Sequence, residues 1–145
     1  MLLAGFEPVG LAVLWPGVVL IFKLTVISFV LFITTLVNLF VTIISWQRRN
    51  TRVGRIFFFA MAAITLWTLA ACLDYAAVPD QLKIFFAQIE SIGYNSALAL
   101  FAMVSVILAG HEKLLEKPWV KVFFILLPSI NILLTLTDPL HGWVW

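Results

Sequence analysis

IFFAQIESIGYNSALALFAMVSVILA, residues 84–109, is the stretch whose reading decides the fold. As an α-helix it is long enough to cross a bilayer whose hydrocarbon core is about 30 Å thick. At 3.6 residues per turn, Gln88, Ser91 and Asn95 stack on one face, with Glu90 and Tyr94 beside them. These polar groups fill an arc of about 160° in one half of the helix. Ile89, Ile92, Gly93, Ala97, Leu100, Ala102 and Val106 leave the rest apolar or small. Glu90 lies about 10 Å along the axis from Lys83. A charge at that depth costs about 3 kcal/mol or more unless it is paired, wetted or protonated. Lipid is therefore a poor neighbour for this face, and other helices must cover it.

Outward from this helix, three more apolar stretches have spanning length. The chain of 145 residues is 63% hydrophobic and 11% charged, where a soluble domain averages about 25% charged. The sequence predicts one membrane domain over residues 1–145, with helices near 17–46, 56–73, 84–109 and 119–136. The fold class is all-α, an integral membrane bundle of four transmembrane helices with the N-terminus outside. Orientation follows from charge. QRRNTRVGR, residues 47–55, places Arg48, Arg49, Arg52 and Arg55 between two spans, and Lys113, Lys117 and Lys121 surround the second loop on that side. Such clusters mark cytoplasmic loops. The loop DYAAVPDQLK, residues 74–83, holds two acids and one lysine and falls outside, with Asp80 a candidate helix cap.

Several residues carry specific expectations. Pro16 suits the first position of helix 1, preceded by an interfacial lead-in over Met1–Trp15. Met1–Gly10 contains Glu7 and no basic residue, so it does not read as a cleaved signal peptide. Thr35, Asn38 and Thr42 form a polar line suited to interhelical hydrogen bonds. Trp67 lies near mid-span in helix 2, where its N–H needs a partner or a polar cavity. Gly93 and Ala97 form a small-xxx-small contact. Pro128 interrupts helix 4, with Ser129 and Asn131 placed to satisfy freed carbonyl groups. A turn and interfacial aromatics follow from Thr137 to Trp145.

Composition also narrows the chemistry. Cys72 is the single cysteine, so an intramolecular disulfide and a CxxC redox site are excluded. His111 and His141 fall on opposite sides of the membrane and cannot share a metal or haem site. No phosphate loop, HExxH or Ser/His/Asp set occurs at a shared depth. No catalytic residue, no metal and no cofactor is expected. The formal charge of +2 is small and its bases are clustered, so nucleic acid is not an expected partner. What converges is an outer-half polar group, whose candidate ligand-binding residues are Trp67, Asp74, Gln88, Glu90, Tyr94, Asn95, Asn131 and His141. Glu90 has three accounts: a partner in Lys83 or His141, a place in a wet ligand cavity, or a coupling carboxylate for proton-driven transport.

Three segments also carry a family likeness. LLPSINILLTLTDPLHGWVW, residues 126–145, combines a proline-containing helix with a Thr-Asp-Pro-Leu-His-Gly-aromatic end. LWTLAACLD, residues 66–74, supplies Trp67 and Asp74. Helix 3 supplies Gly93 and the terminal Gly110. Over about residues 47–145 the chain resembles the N-terminal seven-helix membrane region of bacterial sensor histidine kinases and diguanylate cyclases. It departs at Phe86, Ser91, Leu98 and Asp138, where tryptophan, tyrosine, proline and asparagine are common. The resemblance implies the first four helices of a sensor input module in a two-component system of the bacterial inner membrane. The rest of the receptor, three further helices and a cytoplasmic signalling domain, would then be its partner, with a homodimer left open. Any kinase or cyclase activity would lie outside this chain. The competing readings are a small proton-coupled transporter working as a dimer of four-helix units, and a structural subunit whose polar residues only join helices.

Overall fold

The structure is a computed structural model that describes residues 22–141, with side chains as far as Asp138. The expectations for Met1–Trp15, Pro16 and the aromatic end beyond His141 lie outside the described residues. Four helices follow in order: α1 Val26–Gln47, α2 Arg52–Ala76, α3 Asp80–Leu108 and α4 Pro118–His141. A short 3-10 turn, Glu112–Glu116, joins α3 to α4. All four helices are long and apolar enough to cross a membrane.

The helix boundaries differ from those expected, each for a local reason. α1 begins at Val26 rather than near residue 17. Lys23 N–H donates to the Ala76 carbonyl at 2.6 Å, and Phe22 and Ala77 form an isolated antiparallel bridge, so residues 22–25 run extended beside the end of α2. Thr25 then caps α1: its hydroxyl accepts from the Ser28 N–H, and the Thr25 N–H donates back to the Ser28 hydroxyl. Ser28 does the work usually given to Glu in such a box.

α2 starts at Arg52, capped by the Thr51 hydroxyl, so Arg52 and Arg55 belong to its first turns and only Arg48–Thr51 remain as loop. α3 begins at Asp80 with Pro79 at the cap position, and Asp80 makes no side-chain cap. Gly110, with φ of 76°, turns the chain out of α3, a conformation that favours glycine. α4 continues through Pro139 to His141, where a turn from Thr137 was expected. Ser129 donates to the Ile125 carbonyl, its own fourth neighbour back, and Asn131 bonds to α3. Neither serves the Phe124 carbonyl, which Pro128 leaves without its usual donor.

Each helix packs on its neighbours in sequence, and among the described residues α1 and α4 do not touch. The four spans therefore make an open row rather than a closed bundle, with α2 and α3 in the middle. In α1, interior and exterior chemistry are reversed relative to a soluble protein. The buried residues of α1 are Ser28, Thr35, Thr42 and Ser45, whereas Phe29, Phe32, Leu36, Phe40 and Ile43 are exposed. Small and hydroxyl side chains let helices approach when lipid already solvates the large apolar ones.

The polar line of α1 meets α2 directly. The Asn38 amide donates to Thr68 at 3.4 Å, the Thr42 and Thr65 hydroxyls lie 3.0 Å apart, and the Cys72 thiol donates to the Ser28 carbonyl at 3.2 Å. Thr35 instead bonds to its own helix, at the Leu31 carbonyl. Interhelical bonds of this kind contribute about 0.6–2 kcal/mol in a bilayer. Asn38→Leu is therefore expected to lower the stability of the bundle by about 1 kcal/mol in a bicelle unfolding titration. A loss above about 3 kcal/mol would show that this contact is more than helix glue.

Candidate functional site

At the end of the row opposite the arginines, α2, α3 and α4 line a half-open cavity of about 560 Å³. Asp74 and Tyr75 of α2, Lys83, Ile84, Ala87, Glu90, Ser91 and Tyr94 of α3, and Asn131 and Thr135 of α4 line it. On α3, positions 84, 87, 90, 91 and 94 recur at helical spacing and form one face. Asn131 and Thr135 are one turn apart on α4. A second hollow of about 420 Å³ adjoins the mouth, shares Asp74, Tyr75 and Lys83, and adds Lys23 and Thr25.

The wall between α2 and α3 is set by Gly93. A Cβ there would lie 2.7 Å from the Trp67 backbone nitrogen and 2.9 Å from its Cα. Only glycine lets the two backbones approach this closely. That approach puts the Trp67 indole N–H 2.9 Å from Glu90 Oε1, with the Tyr94 ring centroid 6.3 Å from the indole. Glu90 is thus held by an indole donor, not by Lys83. Among the described residues the one ion pair is Arg52–Glu116, at 3.8 Å and exposed at the opposite end. The side chain of His141 lies outside the described residues.

The wall between α3 and α4 is a chain of side-chain hydrogen bonds. Asn95 Nδ2 donates to the Ser91 carbonyl at 2.8 Å, and the Ser91 hydroxyl donates to Thr135 Oγ1 at 3.1 Å. Asn131 Nδ2 donates to Asn95 Oδ1 at 2.8 Å and to the Tyr94 hydroxyl at 3.1 Å. The Thr135 hydroxyl donates to the Asn131 carbonyl. Ser91, Asn95 and Thr135 are buried, while Asn131 and Tyr94 are open to the cavity side.

Of the eight sequence candidates, Asp74, Glu90, Tyr94 and Asn131 line this cavity. Trp67 stands behind it, 38% exposed, as the donor that fixes Glu90. Asn95 is buried behind Asn131 and borders a separate apolar hollow of about 140 Å³ beside Pro128. Gln88 is half-buried and lines neither cavity, being about 100° around α3 from Ala87. Thr135 was not singled out from sequence, although its place one turn beyond Asn131 is the signal that would have found it. His111 is exposed, with Nδ1 2.8 Å from the Ala109 carbonyl.

Four apolar spans in sequential contact, with a mainly apolar hollow between three of them that carries a few polar groups, define a multi-pass helical membrane protein. Residues 30–145 match the family described as the N-terminal 7TM region of histidine kinase, and the chain belongs to that family. No curated protein and no solved structure matches it. The chain is accordingly a membrane sensor module of the kind that precedes a histidine kinase.

Proposed function

We propose that this module reads a small or lipid-like signal in the cavity, from the outer side of the bacterial inner membrane. The observation that carries the reading is the cavity itself, which brings Asp74, Glu90, Tyr94 and Asn131 to one open hollow across three helices. A purely structural subunit has no use for such a space. Orientation is argued from charge. Arg48, Arg49, Arg52, Arg55, Lys113, Lys117 and Lys121 lie at one end of the row, against Lys23 and Lys83 at the other. The positive-inside rule puts the first set in the cytosol and the cavity outside.

A ligand changes signalling only if it binds two arrangements of the helices with different affinity. The α3–α4 boundary is the element suited to this. Among the described residues α4 touches only α3 and the 3-10 turn, and the ligand space is bounded on one side by Glu90 and Tyr94 and on the other by Asn131 and Thr135. A bound molecule that bridges these pairs draws α4 against α3, and the shift passes to the rest of the receptor in the cytosol. His141, the last residue of α4, is proposed to complete the site.

Photolabelling in native membranes tests the reading. A small amphipathic diazirine is expected to label segments 74–94 and 131–141. Glu90→Leu and His141→Ala are each expected to weaken that labelling about tenfold, the effect of losing a contact worth about 1.4 kcal/mol. Labelling unchanged in both variants would contradict the reading.

A further inference from the structure

We infer that the cavity takes a cation, specifically a small amphipathic amine whose ammonium group is held by Glu90 and the Asn131 side-chain oxygen. This rests on the cavity being a ligand site, and it goes further by naming the charge of what enters.

The orientation of the amides is determined, not arbitrary. The Ser91 backbone carbonyl can only accept, so Asn95 must turn its NH₂ group toward it. That leaves Asn95 Oδ1 facing α4, and Asn131 must present its own NH₂ there. The second hydrogen of that NH₂ reaches the Tyr94 hydroxyl. Both hydrogens of the Asn131 amide are then engaged, and its side-chain oxygen accepts from no group among the described residues. The Ser91 and Thr135 hydroxyls donate within the same chain of bonds. The Trp67 N–H holds Glu90 Oε1, and no described group donates to Oε2.

The floor of the cavity therefore offers acceptors. Among the described residues of the floor, the donors are engaged inside the protein, apart from the Tyr94 hydroxyl hydrogen. Counted over the described lining residues, two carboxylates, Asp74 and Glu90, stand against one ammonium, Lys83. Lys83 lies at the mouth, where it borders Asp74 in both hollows. Glu90 is seven residues deeper, about 10 Å along the helix. An anion would meet its donors only near the mouth and repulsion at the floor. An ammonium group has three donors and no acceptor, which matches the floor. Ile84 and Ala87 give an apolar body its lining. A cation also relieves the cost of a carboxylate at this depth, and charge-assisted hydrogen bonds are the strong ones.

Calorimetric titration of the full chain in nanodiscs of zwitterionic lipid, against empty nanodiscs, tests this with three probes of one shape: 2-phenylethylamine, 2-phenylethanol and 3-phenylpropanoate. The amine is expected to bind about tenfold or more tighter than the other two. Glu90→Gln, which keeps the size of the side chain and an oxygen for the Trp67 N–H, is expected to bring the amine down to the level of the alcohol. Unchanged stability of that variant in a bicelle unfolding titration shows that the bundle is intact. Lys83→Gln is expected to tighten the amine. If the alcohol or the carboxylate binds as tightly as the amine, or if Glu90→Gln leaves the amine unaffected, the cation assignment is overturned while the cavity stands as a site for other chemistry. If none of the three binds, the ligand-site reading falls and the assignment with it.

Discussion

Replacing Gly93 with leucine is expected to separate α3 from α2 and to disrupt the row of helices at its centre. Even alanine would place its Cβ 2.7 Å from the Trp67 nitrogen, inside the contact distance of real Cβ atoms. The obstacle is backbone, so no side-chain rotation relieves it. Overpacking of this kind costs about 1–3 kcal/mol for a methyl group, and leucine adds three more carbons to the same place. The interface concerned is the central one, because α2 and α3 each carry an edge helix. Gly93→Ala is expected to lose about 2 kcal/mol in a bicelle unfolding titration, and Gly93→Leu to fail to assemble. The change would also be local in a second way. Moving α3 withdraws Glu90 from the Trp67 N–H, so the indole emission is expected to shift. A Gly93→Leu protein as stable as the parent would mean that α2 and α3 do not cross at this point.

The second large effect is expected for Asn131→Leu. α4 is held to α3 by few groups, and Asn131 makes two of the cross-helix bonds. Removing it leaves the buried Asn95 side-chain oxygen without its donor, which costs about 1–3 kcal/mol. Asn38→Leu removes one long bond at the α1–α2 boundary, so the loss there is smaller. The consequence is also confined. Hydrogen exchange is expected to accelerate across residues 120–138 and to stay unchanged in α1 and α2, since opening free energies follow cooperative units. Exchange that rises uniformly along the chain would show that α4 is not an independently loosened element.

Why some of this was legible in the sequence, and some not, comes down to which signals are local. Spanning length and the arginine cluster are composition, and four spans follow from them. Gly93 was readable as a close contact because a small residue in an apolar helix has few other uses. That its partner would be Trp67 is a matter of helix rotation, which no local signal sets. For Glu90 three accounts stayed open in the sequence: a partner in Lys83 or His141, a wet cavity, or a coupling carboxylate. None of them named the indole N–H that the structure gives it, because the Gly93 crossing brings Trp67 to that level. The start of α1 was hidden in a mainly apolar run broken by Lys23, where Thr25 and Ser28 form a capping box without an acidic residue. The end of α4 was misplaced because Asp138-Pro139 reads as a stop, yet the helix continues to His141. Gln88 was placed with the site on periodicity alone, and an arc of about 160° was too wide a stripe to say which edge faces the cavity.

The most direct test of the account is cysteine labelling in intact cells with a membrane-impermeant thiol reagent, in a Cys72→Ala background. Ala87→Cys, in the cavity wall, is expected to react from outside, and 2-phenylethylamine is expected to slow that reaction. Arg49→Cys, at the opposite end, is expected to react only after the membrane is permeabilised. Labelling of position 49 in intact cells with position 87 silent would contradict the account.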